Sequence, residues 1–312
     1  MSGNNFEDSV TILMATYQGG KFLNEQLESI SSQSHTNWKL VVSDDGSTDA
    51  TWDLLKQHQS QWSKDKVELR KGPGRGFCRN FLSIACDPGL SAKYYAFSDQ
   101  DDIWNNDKLS RAISFLDTVE KGKPALYCSR TQAIDETGNL LWLSPHFKRP
   151  PSFRNAIVQN IGGGNTMVFN EAARELLRAA GPNLDVPSHD WWLYILVTGC
   201  GGNVYYDPMP SIMYRQHTSN IVGSNTTFTA RLNRLKRLLR GQLAEWNEVH
   251  IKSLNKVNFL MTAEGKKLLR DLEIARNSPF AKRLCFFLKS RIRRQTNYGQ
   301  VALVIAVILG KI

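Results

Sequence analysis

Apolar and polar positions in the first half of the chain follow two alternating periods. Residues 10–15, 38–43, 67–70 and 94–98 are short runs that read as strands, the first of them a buried one. After the first run Phe22, Leu23, Leu27 and Ile30 recur at helical spacing; after the fourth, Leu109, Ile113 and Leu116 do the same. Strands alternating with helices predict an α/β fold, a parallel sheet covered by helices. Gly19-Gly20 breaks the first strand, and Ser47 or Thr48 is placed to cap the helix after the second. Residues 72–76 form a glycine-rich loop opening a helix at 77–85.

Past residue 123 the pattern loosens. A fifth strand is expected at 125–130, a hairpin turn at Asp135-Glu136-Thr137-Gly138-Asn139, a strand at 166–169 after Gly162-Gly163-Gly164, and helices at 171–180 and from His189 to about Thr198. A short strand precedes Tyr214. From Phe228 the chain becomes helical and rich in Leu and Arg: Leu232, Leu235, Leu239, Leu243 and Trp246 share one stripe, with Arg234, Arg237 and Arg240 on other faces. The expected organisation is a domain over 1–227, with a nucleotide-binding half at about 10–123 and an acceptor half at about 124–227, followed by a separate amphipathic region over 228–312.

Charge sharpens this division. The chain carries +10 over 312 residues, but residues 228–312 hold 18 Lys/Arg against 5 Asp/Glu, whereas residues 1–227 hold 21 against 24. The basicity belongs to the tail and predicts an anionic membrane surface met by the stripe from Leu232 to Trp246 and by the basic, aromatic stretch 282–294; the alternative is a helical subdomain packed on the preceding domain with its arginines solvated. The longest apolar run, residues 301–309, is too short to cross a bilayer as a helix, and the polar N-terminus lacks the pattern of a secretory signal. Five cysteines scattered singly give neither a zinc site nor a disulfide framework and fit a reducing cytoplasm.

Polar clusters follow three of the strands. Asp99-Gln100-Asp101-Asp102 puts three carboxylates within four positions, where they repel unless a cation neutralises them; Mg²⁺ or Mn²⁺ needs only one or two such ligands beside substrate phosphates. The alternative is an acidic turn capping the next helix. Ala15-Thr16-Tyr17 and Asp44-Asp45-Gly46-Ser47 end strands one and two on the same edge, suited to a pyrimidine base, or else a turn with a helix cap. Arg79 and Asn80 open a helix behind the glycine-rich loop and suit a diphosphate; a plain surface loop is the alternative.

His189-Asp190-Trp191-Trp192 starts an apolar helix. Asp190 there is a candidate general base, with Trp191 and Trp192 either stacking on a sugar or simply filling the core. Arg215 is a candidate phosphate contact and His217 a candidate metal ligand, with the loop 218–227 placed to close over a donor. A nucleotidyltransferase would need a richer phosphate loop behind strand one than Gly19-Gly20-Lys21, and a nucleic-acid-binding protein would leave the acidic clusters without a role.

Together, Ala15-Thr16-Tyr17, Asp44-Asp45-Gly46-Ser47-Thr48-Asp49, Asp99-Gln100-Asp101-Asp102 and His189-Asp190 resemble glycosyltransferase family 2, the inverting enzymes of the GT-A fold, over about residues 10–220. Ser98–Trp104 and His189–Trp192 look most like bacterial transferases of surface polysaccharides, often rhamnosyltransferases. The resemblance implies a mixed sheet flanked by helices and a nucleotide-diphosphate sugar held by Ala15, Thr16, Tyr17, Asp44, Asp45, Arg79, Asn80, Asp99, Gln100, Asp101 and Arg215. It further implies a Mg²⁺ or Mn²⁺ ion on Asp99, Asp101 and His217, and Asp190 as base. His189, Trp191, Trp192, Gly163, Gly164 and Asn165 would lie near the acceptor or sugar. Many members carry Glu-Asp where this chain has His189-Asp190. The acceptor implied is a polyprenyl-diphosphate-linked glycan, met by an enzyme peripheral on the cytoplasmic face of a bacterial inner membrane, with no nucleic-acid partner.

Overall fold

A computed structural model describes residues 8–62, 65–217 and 240–312. Four strands, β1 (Val10–Thr16), β2 (Trp38–Asp44), β3 (Val67–Lys71) and β4 (Tyr94–Ser98), lie in the spatial order β3-β2-β1-β4 and are all parallel. Helices α1 (Leu23–Ser31), α2 (Thr51–Gln61) and α3 (Phe77–Ala85) make the crossovers, and α4 (Lys108–Leu116) follows β4. The C-terminal ends of β1, β2 and β4 therefore lie on one edge, where ligands of open α/β sheets bind.

Beyond β4 the sheet becomes mixed. β8 (Val168–Asn170) runs antiparallel to both β4 and β6 (Ala125–Ile134). β9 (Asn203–Arg215) runs parallel to β6, and the two-residue β5 (Ile103–Trp104) closes the edge antiparallel to β9. β7 (Leu140–Leu143) folds back on β6 through the expected hairpin turn, in which Asp135 accepts from the backbone N–H groups of Thr137 and Asn139. Between Ser129 and Thr131 β6 advances two residues while β9 advances five, from Asp207 to Ile212. Pro208 and Pro210 lie in that excess and have no N–H to give the ladder.

Two apolar layers sandwich the sheet, set by alternation along its strands: Ile12 and Met14 face one layer with α1 and α4, Leu13 the other with α3 and the helices that follow β7. Those helices are α5 (Phe153–Ala156), α6 (Glu171–Ala180) and α7 (His189–Gly199), joined by four C-terminal ones: α8 (Gln242–Lys256), α9 (Ala263–Arg276), α10 (Phe280–Ser290) and α11 (Asn297–Ile308).

Three expectations need correction. Neither Ser47 nor Thr48 caps the helix after β2: at its start Asp49 Oδ1 accepts from Thr51 N and Oγ1, Ser47 donates to Asp44, and the Thr48 N–H to Gln18. The strand expected at 166–169 starts later, because Gly164–Thr166 forms a 3₁₀ turn. Leu243 and Trp246 of the expected amphipathic stripe face inward: Leu243 is buried, and Trp246 meets the Trp191 ring edge-on at 5.6 Å. The C-terminal helices thus share one core with α7. Leu232, Leu235 and Leu239 of that stripe, and the loop 218–227, lie outside the described residues.

Candidate active site

The ends of β1 and β2 are locked together before any ligand is considered. Asp44 is buried, its Oδ2 accepting from Thr16 Oγ1 at 2.8 Å and Ser47 Oγ at 2.6 Å, its Oδ1 from Ser47 N and Gly46 N. Asp44 shapes the turn and leaves the front position to Asp45, which accepts from Gly74 N at 2.7 Å and Gly76 N at 2.8 Å and ties down the glycine-rich loop. Gly72 fits between them because a Cβ there would come 2.7 Å from Asp45 Oδ1. The Tyr17 side chain stands 59% exposed at the mouth. Its backbone is clasped by the Gln100 amide, which accepts from Tyr17 N at 2.8 Å and donates to Tyr17 O at 2.9 Å. Gly19 leaves room for that amide.

Asn80 and Arg79 differ from the expectation of direct donor contacts. Asn80 is buried, accepting from Ser43 Oγ and donating to Ser43 O, so it fastens α3 to β2. Arg79 reaches across a cleft to Asp185 at 2.5 Å and Asn183 at 3.2 Å.

The acidic cluster divides into three roles. Asp101 Oδ2 lies 2.8 Å from His217 Nε2, which brings two of the predicted metal ligands together. Burial, then the neighbouring Asp101 and Asp190, push the Asp99 carboxyl up to about 7. Asp99 therefore senses both the Asp101 and the Asp190 carboxylates. Asp102 points inward, fully buried, accepting from Asn165 Nδ2 at 2.6 Å and Arg215 N at 3.2 Å; burial and the other two carboxylates push it well up.

Sequence reading missed the cation inside this cluster. Lys108 is fully buried, donates to Asn165 O and sits over the Trp104 ring, 3.3 Å from its centroid. Burial holds its ammonium well below the usual lysine range, against the opposing pull of Asp102 and Asp99. Lys108 follows the acidic run by six positions at the first turn of a helix, where it resembles any solvated surface lysine.

Asp190 heads α7 with Oδ2 accepting from Asn160 Nδ2 and Gly164 N, each at 3.0 Å, and Oδ1 from Trp191 N at 2.6 Å. Three N–H groups on two oxygens fix its orientation and leave acceptor capacity over. Gly163-Gly164-Asn165 is thereby the hinge between Asp190 and Asp102. A Cβ on Gly164 would lie 2.5 Å from His189 Nε2.

The other residues around Asp190 are corrected. His189 is buried, stacked on Phe81 at 4.0 Å and edge-on to Phe97 at 4.6 Å, with neither ring nitrogen hydrogen-bonded; burial holds it at about 4, hence neutral. Trp191 donates to Ala156 O at 2.6 Å, and Trp192 lies parallel to His250. Both indoles are core, with no face open to a sugar. Arg215 is also buried, donating to Asp101 O, Glu136 O and, at 2.6 Å, Glu25 Oε2, so it braces the acidic turn.

Among the described residues no three His, Cys, Asp or Glu side chains form a ready-made metal cage. The donor set still fits a hard divalent ion that shares its shell with substrate phosphates: one carboxylate and one imidazole in contact, with a second carboxylate beside them.

The profile described as Glycosyl transferase family 2 matches residues 11–177, over half of the chain. The chain belongs to glycosyltransferase family 2. The dTDP-rhamnosyl transferase RfbG of Shigella flexneri is 31% identical over 234 residues, covering 71% of this chain and 78% of that one. A UDP-Glc:alpha-D-GlcNAc-diphosphoundecaprenol beta-1,3-glucosyltransferase, WfaP of Escherichia coli, is 34% identical over 110 residues, 35% of this chain and 41% of its own length. In fold, this glycosyltransferase is similar to S. aureus TarS 1-349 in complex with UDP-GlcNAc, with a TM-score of 0.54 at 14% identity over 97% of this chain and 90% of that one. The curled mixed sheet with flanking helices is the GT-A architecture.

Proposed function

We propose that this enzyme moves L-rhamnose from dTDP-rhamnose, by inverting displacement, onto a polyprenyl-diphosphate-linked glycan during surface-polysaccharide assembly. One observation carries the reading: Gly164 N donates to Asp190 and the adjacent Asn165 amide to Asp102, so the candidate base and the acidic turn after β4 are held side by side, and Asp101 and Asp190 both push up the Asp99 carboxyl. The names of the two bacterial relatives supply the donor and the kind of acceptor.

Thr16, Tyr17 and Asp45 border the place for the pyrimidine, and Asp99 the ribose and diphosphate. Asp101 and His217, with Asp99, would hold Mg²⁺ or Mn²⁺, which supplies neutralising charge for the diphosphate. Asp190 takes the proton of the acceptor hydroxyl; that oxygen bonds to the anomeric carbon as the bond to the diphosphate oxygen breaks, leaving dTDP and an inverted linkage. Asn160 and Gly164 keep Asp190 aimed. The enzyme works on the cytoplasmic face of the inner membrane as a peripheral protein.

A donor panel tests this: nucleotide release and thermal stabilisation with dTDP-rhamnose, UDP-galactose, UDP-glucose and UDP-N-acetylglucosamine, with and without Mn²⁺. The expected result is a preference for dTDP-rhamnose that requires the metal. A preference for a UDP-hexose overturns the rhamnosyl assignment.

A further inference from the structure

Helix α11 is apolar on two sides and buries only one. Leu303, Ala306 and Val307 enter the core, while Val301, Val304, Ile305 and Ile308, spaced i, i+3, i+4, i+7, form a second stripe that faces outward. Val301 is 61% exposed and Ile308 45%, and no described side chain covers them. On the adjoining α10, Leu288 is 71% exposed, and a crevice of about 40 Å³ lined by Leu284, Leu288, Gln300 and Val304 joins the two helices into one surface. Arg283 fixes their relation by donating to Val307 O at 2.7 Å and Ile308 O at 3.3 Å, the last carbonyls of α11.

Charge identifies what this surface meets. From residue 274 to 312 the chain has eight Lys/Arg and no Asp/Glu, and Lys282, Lys289, Arg291 and Lys311 around the apolar stripe are exposed. A second copy would bring two such cationic rims together, which like-charge repulsion opposes. An anionic lipid surface satisfies both features at once, taking the apolar stripe into the acyl boundary and the cations among the headgroups. At 12 residues the helix is too short to span, so it lies in the plane of the interface.

We propose that the outer face of α10 and α11, centred on Val301, Ile305 and Ile308, docks the enzyme onto an anionic membrane. This surface replaces the stripe through Leu243 and Trp246, which the core has already used. It is also wired to the reaction centre. Arg293 O accepts from Asn155 Nδ2 at 3.0 Å, and Gln295 N donates to Gln159 Oε1 at 2.7 Å, next to the Asn160 that holds Asp190. The proposal deepens the lipid-linked-acceptor reading but is tested apart from it.

The experiment is co-flotation of the full chain with vesicles of phosphatidylglycerol and phosphatidylethanolamine, and separately of phosphatidylcholine, at low and high salt. Binding is expected to the anionic vesicles only, weakened by salt. Val301→Ser/Ile305→Ser/Ile308→Ser is expected to lower partitioning about tenfold or more. Lys282→Glu/Lys289→Glu is expected to abolish the salt-sensitive part. Unchanged thermal melting and unchanged dTDP-rhamnose hydrolysis in solution show that either variant is folded. Equal flotation of the parent and the serine variant overturns the proposal. So does a dimer in light scattering that the serine variant converts to monomer while neither floats. Absent hydrolysis in every variant counts against the donor assignment alone and leaves the docking surface standing.

Discussion

The Asn165 amide donates to Asp102 Oδ2 at 2.6 Å, and the same residue's carbonyl accepts from the buried Lys108 ammonium. One asparagine thus joins the acidic turn after β4 to the Gly163-Gly164 segment that holds Asp190. Lys108→Met removes one of the two buried cations of this network, the other being Arg215, and takes away the one on which the Asp102 charge acts through space. Breaking a buried charge contact from one side costs about 3–5 kcal/mol. Urea unfolding of Lys108→Met, Asp102→Asn and the double variant should show a double variant more stable than the two losses added. Strict additivity would show that the two side chains do not interact.

Asp190→Asn keeps the shape of the side chain but removes the carboxylate proposed as the base. Transfer is expected to fall about 10²–10⁴-fold, with dTDP-rhamnose affinity nearly unchanged by calorimetry. Substantial residual turnover removes Asp190 from that role.

Gly164→Ala tests the hinge beside it. The new methyl would meet His189 Nε2 at 2.5 Å and Asp190 Cβ at 3.3 Å, so the carboxylate must shift. A loss of kcat of about tenfold or more with KM for the donor little changed is the expected outcome. His189→Ala in the same chain should restore part of it by opening space.

His189 also sets a pH dependence. Its folded value near 4 lies below the ordinary 6.5, so between pH 6.5 and 4 the unfolded chain binds a proton that the folded chain refuses. Stability from this group is complete above pH 6.5 and falls by up to about 3 kcal/mol as the pH drops to 4. His250, held near 3 by burial against Trp191, acts in the same sense, whereas Asp99, raised to about 7, acts oppositely. The difference between His189→Phe and the parent isolates the term: the gap in melting temperature should be constant above pH 7 and shift in favour of the variant toward pH 4.5. Phe also relieves two buried ring nitrogens without partners.

The parallel half of the sheet was legible because β1, β2 and β4 are mostly apolar runs buried on both faces, while the edge strand β3 alternates Val67 and Leu69 with charged residues. β5 and the length of β9 were not: a two-residue strand has no period, and Pro208 and Pro210 read as strand breakers, although the chain bulges out around them and resumes pairing at Ile212. In the site, Asp190 and Asp101 stood out by position, whereas His217 read as a lone histidine, a type more often structural, and its contact with Asp101 needed the fold. Trp191, Trp192 and Leu243 misled because an apolar helix start looks the same whether its rings meet solvent, sugar or a later helix. Lys108 carried no signal, since only the packed structure shows that its ammonium lies inside.

The family profile ends at residue 177, yet the support for Asp190 comes from residues 293 and 295 by way of Gln159 and Asn160. Specificity in this enzyme is therefore not a detachable cartridge. A chimera that grafts residues 11–177 onto the tail of a relative keeps the ends of β1, β2 and β4 but takes Asp190, Arg215 and His217 from that relative, and it splits the brace behind Asp190 across two evolutionary histories, so functional exchange has to carry residues 178–217 and the α10–α11 segment along.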